Sequence, residues 1–236
     1  MRLRTDLFFI LILVFAASTG VVQAQEYSAN PDSSFDAPDL TVMSFNIRYD
    51  NPGDGEDAWP NRADGVAALV DQHSVDVVGL QEALPGQLAD LERLLPGFAW
   101  LGVSRGGEGI DDEFSAILYR VTSVLPVDHG TFWLSETPDE PASRGWDAAL
   151  PRIATWARFR LERTGDGDQA GADAPADADA DADALEFLVL NTHFDHRGET
   201  ARVESARLIR RWLAERAGNL PVVVTGDLNA TPETDP

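Results

Sequence analysis

The 236-residue chain contains no cysteine and no lysine. Without cysteine there are no disulfides and no thiolate metal site, so stability rests on the packed core. All 18 basic residues are arginine, and against 40 Asp and Glu they leave a net charge of −22. Such a surface repels nucleic acid and anionic lipid at ordinary salt. At about 1 M salt the Debye length falls to about 3 Å and the repulsion is largely screened. The composition therefore predicts a protein suited to saline surroundings. Folding and activity unchanged between low and molar salt would count against that expectation.

Long apolar runs are also scarce. The run Leu7 to Ala17 follows Arg2 and Arg4 and precedes Val22-Gln23-Ala24. That layout predicts a secretory signal peptide over 1–24, cleaved after Ala24, and export to the periplasm or extracellular space. The alternative is an uncleaved anchor, for which the run falls short of a span of about 20 residues. After cleavage no stable membrane insertion is expected, and the chain is taken as a monomer. Residues 25–39 read as a flexible leader. What remains, 40–236, is enough for one sizeable domain rather than two.

Along that domain, Leu40 to Asn46 alternates apolar and polar residues and reads as a strand. A Gly/Pro/Asp loop leads to Asn61, a candidate cap for a helix bearing Val66, Leu69 and Val70, with Asp64 placed as in a capping box. A buried strand at Val75 to Leu80 and a helix at Pro85 to Leu95 follow. Strands are expected at Phe98 to Val103 and Phe114 to Arg120, with a strand pair over Val121 to Leu134. A loop over Ser135 to Leu150 leads to a strand at Arg152 to Leu161. The Ala-Asp repeats of 164–184 read as a solvated acidic loop. Leu185 to Asn191 is the next strand, a helix from a Thr200 cap ends at Gly218, and Leu220 to Thr225 is the last strand. Helices in some connections and hairpins in others argue for an α/β sandwich, two sheets covered by helices, over an all-parallel fold.

Polar residues close four of these strands: Asn46, Glu82, His193, and Asp227 with Asn229. Each has an ordinary explanation alone. Asn46 fits a turn cap, Glu82 a helix-start carboxylate, His193 a hydrogen-bonded core histidine, and Asp227-Leu228-Asn229 an Asx turn. Four strands ending this way are harder to dismiss.

In order, Ser44-Phe45-Asn46, Gly79-Leu80-Gln81-Glu82, Phe114 to Tyr119, Asn191-Thr192-His193 and Gly226-Asp227-Leu228-Asn229 resemble the motifs of the endonuclease/exonuclease/phosphatase superfamily. That group is deoxyribonuclease I-like. Phe132 to Pro138, with Gly145-Trp146-Asp147 and Pro151-Arg152, resembles a bacterial branch of it. The resemblance implies a four-layer sandwich and hydrolysis of a phosphoester with Mg²⁺ (or Mn²⁺). It implies Glu82 as metal ligand, Asp227 orienting or deprotonating the attacking water, and Asn229 holding that water or a phosphoryl oxygen. Asn46 would position Asp227 or the metal shell, and His193 would bind a phosphoryl oxygen or assist the leaving group. Arg152 falls where relatives place a phosphate-binding arginine, and a surface ion pair is the alternative. Nucleic acid, sugar phosphate and lipid head group all remain open as substrates.

Two departures from the pattern bear on function. Relatives carry a second metal carboxylate two residues after the first-strand Asn, where this chain has Arg48, which leaves Glu82 with Asp50 as a possible helper. Relatives also continue past Asp-x-Asn to a Ser-Asp-His motif that this sequence does not contain, so the last strands are expected to be missing. A form without that motif is expected to turn over little or no substrate. The rival reading is a non-catalytic binding domain on the same fold.

Overall fold

The computed structural model describes residues 40–162 and 185–231. The predicted signal peptide, leader and acidic loop lie outside them. Two four-stranded sheets face each other. The first contains β1 (Val42–Asn46), β2 (Val77–Gln81), β3 (Phe98–Leu101) and β4 (Ile117–Arg120), in the order β1-β2-β4-β3. The second contains β5 (Val124–Trp133), β6 (Ile153–Leu161), β7 (Glu186–His193) and β8 (Val222–Asp227), in sequence order. Each sheet has one parallel pair, β1 with β2 and β7 with β8, and its other pairings are antiparallel. A parallel pair needs a crossover, supplied by α1 (Trp59–Gln72) in the first sheet and α3 (Glu199–Arg216) in the second. The remaining α-helix among the described residues, α2 (Pro85–Leu94), packs beside α1 on the first sheet.

Every residue of β2 is buried because both of its faces are covered. Val78 and Leu80 point into the layer with Val66, Val70, Leu88 and Leu91 of the helices. Val77 points the other way, against Ile117, Ala157, Phe159 and Val189 between the sheets. On the far side Ile209 of α3 packs on Leu134, Ala154 and Leu190. The result is the expected four layers, helix–sheet–sheet–helix.

Toward one end the space between the sheets turns polar. Asn191, fully buried, donates to Leu80 O (2.8 Å) and Ala116 O (2.9 Å) and accepts from Gln81 Nε2 (2.7 Å) and Thr225 Oγ1 (3.1 Å). Only glycine fits opposite: a Cβ on Gly79 would lie 2.0 Å from Thr225 Oγ1 and 2.6 Å from Asn191 Oδ1.

Several sequence expectations are corrected here. Val121 to Leu134 is not a strand pair but the single long strand β5, whose register shifts between Pro126 and Asp128. Proline lacks the ladder donor, and β5 tolerates it as an edge strand with a bulge. Helix α1 begins at Trp59 rather than after an Asn61 cap, since Pro60 suits the first turn, where the missing N–H has no partner to lose. Asn61 instead donates to Glu56 O (3.1 Å), and Leu69 is 43% exposed. Thr200 does not cap α3. Asp147, from the 135–150 loop, accepts from Thr200 N (3.3 Å) and Ala201 N (2.7 Å) and caps the helix from a distance in sequence.

Candidate active site

Parallel pairing sets two strand ends side by side, and here both pairs present their carboxyl ends on the same side. In register, Asn46 lies opposite Gln81, and His193 opposite Asp227. Carboxyl ends of parallel strands are favoured ligand positions because the following loops are free to carry function. Gly226 N donates to Ser44 Oγ (3.0 Å), joining β8 to β1 across the sheets. Two half-sites, one per sheet, therefore meet.

At their junction Asn46 Nδ2 donates to Glu82 Oε1 and to Asp227 Oδ2, each at 2.9 Å. One carboxamide thus holds two carboxylates close together. Tyr49 N donates to the other Glu82 oxygen (3.2 Å), and Asn229 N to Asp227 Oδ1 (3.0 Å). Glu82, Asn229 and Arg48 all have positive φ, at 60°, 48° and 57°. A non-glycine residue held there costs on the order of 1–3 kcal/mol and persists where its surroundings over-determine it. The Arg48 turn is fixed by Gln87 Nε2 (2.9 Å) and Arg62 Nη2 (3.2 Å), both donating to Arg48 O.

His193 is nearly buried, with Nε2 3.0 Å from Asn229 Nδ2 and 3.7 Å from Asp227 Oδ2. Burial and then the Arg152 charge push its pKa down to about 4, against the opposing pull of Asp227 and Glu82. The ring is therefore neutral at pH 7. With Asn229 donating to Nε2, the network puts the ring proton on Nδ1. A neutral ring has no second proton to give, which favours hydrogen bonding over acid catalysis.

Arg152 is 5% exposed, so it is not a surface ion pair. Its Nε donates to Asp195 Oδ2 (3.3 Å), and Nη2 lies 3.1 Å from His196 Nδ1. Burial alone would raise the Asp195 pKa, but the amides of Gly198 and Arg197 and the Arg152 charge outweigh it and hold the carboxylate ionised. Arg152 and His193 line a cleft together with Arg105 and Glu113.

All six predicted site residues thus lie at one end of the sandwich, around the junction of the sheets and the cleft beside it. Asp50 does not join them: its backbone N donates to Gln87 Oε1 (3.1 Å), and no contact among the described residues takes its carboxylate to Glu82. Arg48 is clamped by Asp54 (Nε–Oδ2 and Nη2–Oδ1, both 3.1 Å) and lies 4.0 Å from Glu82 Oε2. Sequence reasoning missed Arg105, Glu113 and Asp195. Asp195 stands two residues after His193, but an acidic residue in so acidic a chain gives no signal of its own.

Among the described residues no group of three His, Cys, Asp or Glu is arranged as a metal cage. The adjoining Glu82 and Asp227 carboxylates nevertheless suit Mg²⁺, a hard cation that takes one or two carboxylates and keeps waters and substrate phosphate for the rest.

Residues 43–236 match the Endonuclease/Exonuclease/phosphatase family. A solved endonuclease/exonuclease/phosphatase family protein from Bacteroides thetaiotaomicron is 42% identical, with a TM-score of 0.69 over 80% of this chain and 63% of its own. A mannosyl-6-phosphatase from the same organism is 40% identical, with a TM-score of 0.72 over 84% of this chain and 68% of its own. An uncharacterized protein of Acanthamoeba polyphaga mimivirus is 23% identical over 206 residues, 80% of this chain and 30% of its own length. The chain therefore spans less than two thirds of the first of these structures and a smaller share of the viral protein.

Proposed function

This chain belongs to the Endonuclease/Exonuclease/phosphatase family, whose members hydrolyse phosphoesters, and on that premise we propose that it is an exported, divalent-metal-dependent hydrolase of sugar phosphates. The observation that carries the reading is the Asn46 carboxamide bridging Glu82 and Asp227 at 2.9 Å each. Two lines favour a sugar phosphate. A 40% identical protein is a mannosyl-6-phosphatase, and a chain of net charge −22 repels polyanions such as nucleic acid.

A bound Mg²⁺ or Mn²⁺ supplies charge neutralisation on the phosphoryl oxygens. Glu82 would hold it, with Asp227 beside it. Asp227 is fixed through both oxygens by Asn46 and Asn229, which leaves its remaining lone pairs to orient a water and accept its proton. Asn229, tied by Nδ2 to Phe194 O at 2.9 Å, keeps the Asp227 turn rigid and presents its carbonyl oxygen to the same water. Arg152, locked by Asp195 and His196, offers its guanidinium to a phosphoryl oxygen. His193, which lines the same cleft, would hydrogen-bond a phosphoryl oxygen.

The test is hydrolysis of mannose 6-phosphate and bis-p-nitrophenyl phosphate by the full-length protein, with Mg²⁺ and after chelation. Glu82→Gln and Asp227→Asn are each expected to lower turnover by about 10³-fold or more. Undiminished turnover in either variant overturns these roles. A folded parent that binds these phosphates but hydrolyses neither favours the binding-domain alternative.

A further inference from the structure

One wall of the cleft has no part in the hydrolytic reading. Phe114 N donates to Ala83 O (2.8 Å), which seats the 104–115 loop against the end of β2 and brings Glu113 within electrostatic reach of Glu82. Arg105 Nη1 pairs with Glu113 Oε2 (3.0 Å), and Arg105 Nε with Asp112 Oδ1 (2.8 Å). Trp133 Nε1 donates to Arg105 O (2.8 Å), anchoring the loop from β5. The Arg105 and Glu113 side chains are only 12% and 18% exposed, and both line the cleft beside Arg152 and His193. Desolvating such a pair costs most of what the attraction returns, so stability alone is a weak reason for it.

Chemically the pair presents acceptors next to donors. The Glu113 carboxylate, paired with Arg105, keeps lone pairs for hydroxyl protons, and the guanidinium keeps N–H groups for hydroxyl oxygens. Vicinal hydroxyls match that pattern, since one can donate to the carboxylate while its neighbour accepts from the guanidinium. A cationic ligand would meet Arg105 and Arg152. A nucleobase would want an open aromatic face, and Phe114, the ring on this cleft, is packed edge-on against Trp100 (5.7 Å, 88°).

We infer that Arg105 and Glu113 form a hydroxyl-reading subsite that holds the alcohol portion of a polyhydroxylated phosphate ester while Arg152 takes the phosphate. This rests on the proposed hydrolytic function and names the feature that selects its substrate.

The experiment compares binding of two non-hydrolysable ligands by calorimetry to the full-length protein. One is the phosphonate isostere of a hexose 6-phosphate, and the other is hexylphosphonate, which has no hydroxyls. The hexose ligand is expected to bind at least about tenfold tighter, and in Glu113→Ala the two affinities are expected to converge to within about twofold. Equal affinities in the parent overturn the inference, a comparison that needs no variant to fold. A preference retained by a folded Glu113→Ala overturns it too, as does tighter binding of a 5′-phosphorylated oligonucleotide than of the hexose ligand. A parent that shows the preference but hydrolyses nothing refutes the hydrolytic reading and leaves the subsite standing. Hydrolysis without the preference does the reverse.

Discussion

Replacing Asn191 with Ala removes four hydrogen bonds from the polar seam between the sheets, two donated to carbonyls and two accepted. The partners are not left equally bare. Ala116 O still accepts from Leu80 N (2.8 Å), and Gln81 Nε2 keeps Gly79 O (2.9 Å). Thr225 Oγ1 retains only a long bond to Leu190 O (3.5 Å). At about 0.5–1.5 kcal/mol net for each bond, the four come to roughly 2–6 kcal/mol. For a domain of this size 1 kcal/mol moves Tm by about 2–4 °C, so Tm should fall by roughly 4–24 °C. Thermal and urea unfolding followed by circular dichroism at pH 7 measure it. Asn191→Asp serves as the companion: it keeps the shape but points oxygen at Leu80 O and Ala116 O, and it should be at least as damaging. A Tm within about 2 °C of the parent in either variant refutes the reasoning.

The other predictions concern His193 and Asp147. Folded His193 resists protonation down to about 4, whereas in the unfolded chain it takes a proton near 6.5. Between those values the unfolded state binds more protons, so its contribution to stability is intact above about pH 6.5 and is lost as pH falls toward 4. The loss is about 3 kcal/mol. Urea unfolding at several pH values in the absence of divalent ions should show that fall, and His193→Gln should flatten it; a parent-like slope in His193→Gln would count against the assignment. Asp147→Ala removes the remote cap of α3 and should lower the urea-derived stability by about 1 kcal/mol. A change below about 0.3 kcal/mol would mean that the cap contributes nothing.

Period-2 and period-3.6 patterns carry much of the fold, because burial on one or both faces is what writes them. The buried strand β2 was legible for that reason. Helix starts were not: Asn61 and Thr200 have the right chemistry for caps, but Pro60 and the remote Asp147 supply what those termini needed. The strand pair expected over Val121 to Leu134 failed for a similar reason, since the edge position of β5 lets the strand run on through Pro126. At the site, Asn46, Glu82, His193, Asp227 and Asn229 stood out as polar groups at strand ends. Arg105 and Glu113 did not, because their pairing depends on how a Gly-rich turn folds back on itself and against Ala83.

The Asn46–Asp227 bond joins positions 181 residues apart, and Glu82, just past β2, and Asp227, in β8, are carried by different sheets. A ligand that grips both carboxylates therefore recognises only the docked pair of sheets and has no counterpart in a chain whose halves have parted. Its binding is linked to docking and adds about 2.7 kcal/mol when its concentration is 100 times its Kd. An occupant held by both carboxylates is thereby a clamp on the architecture.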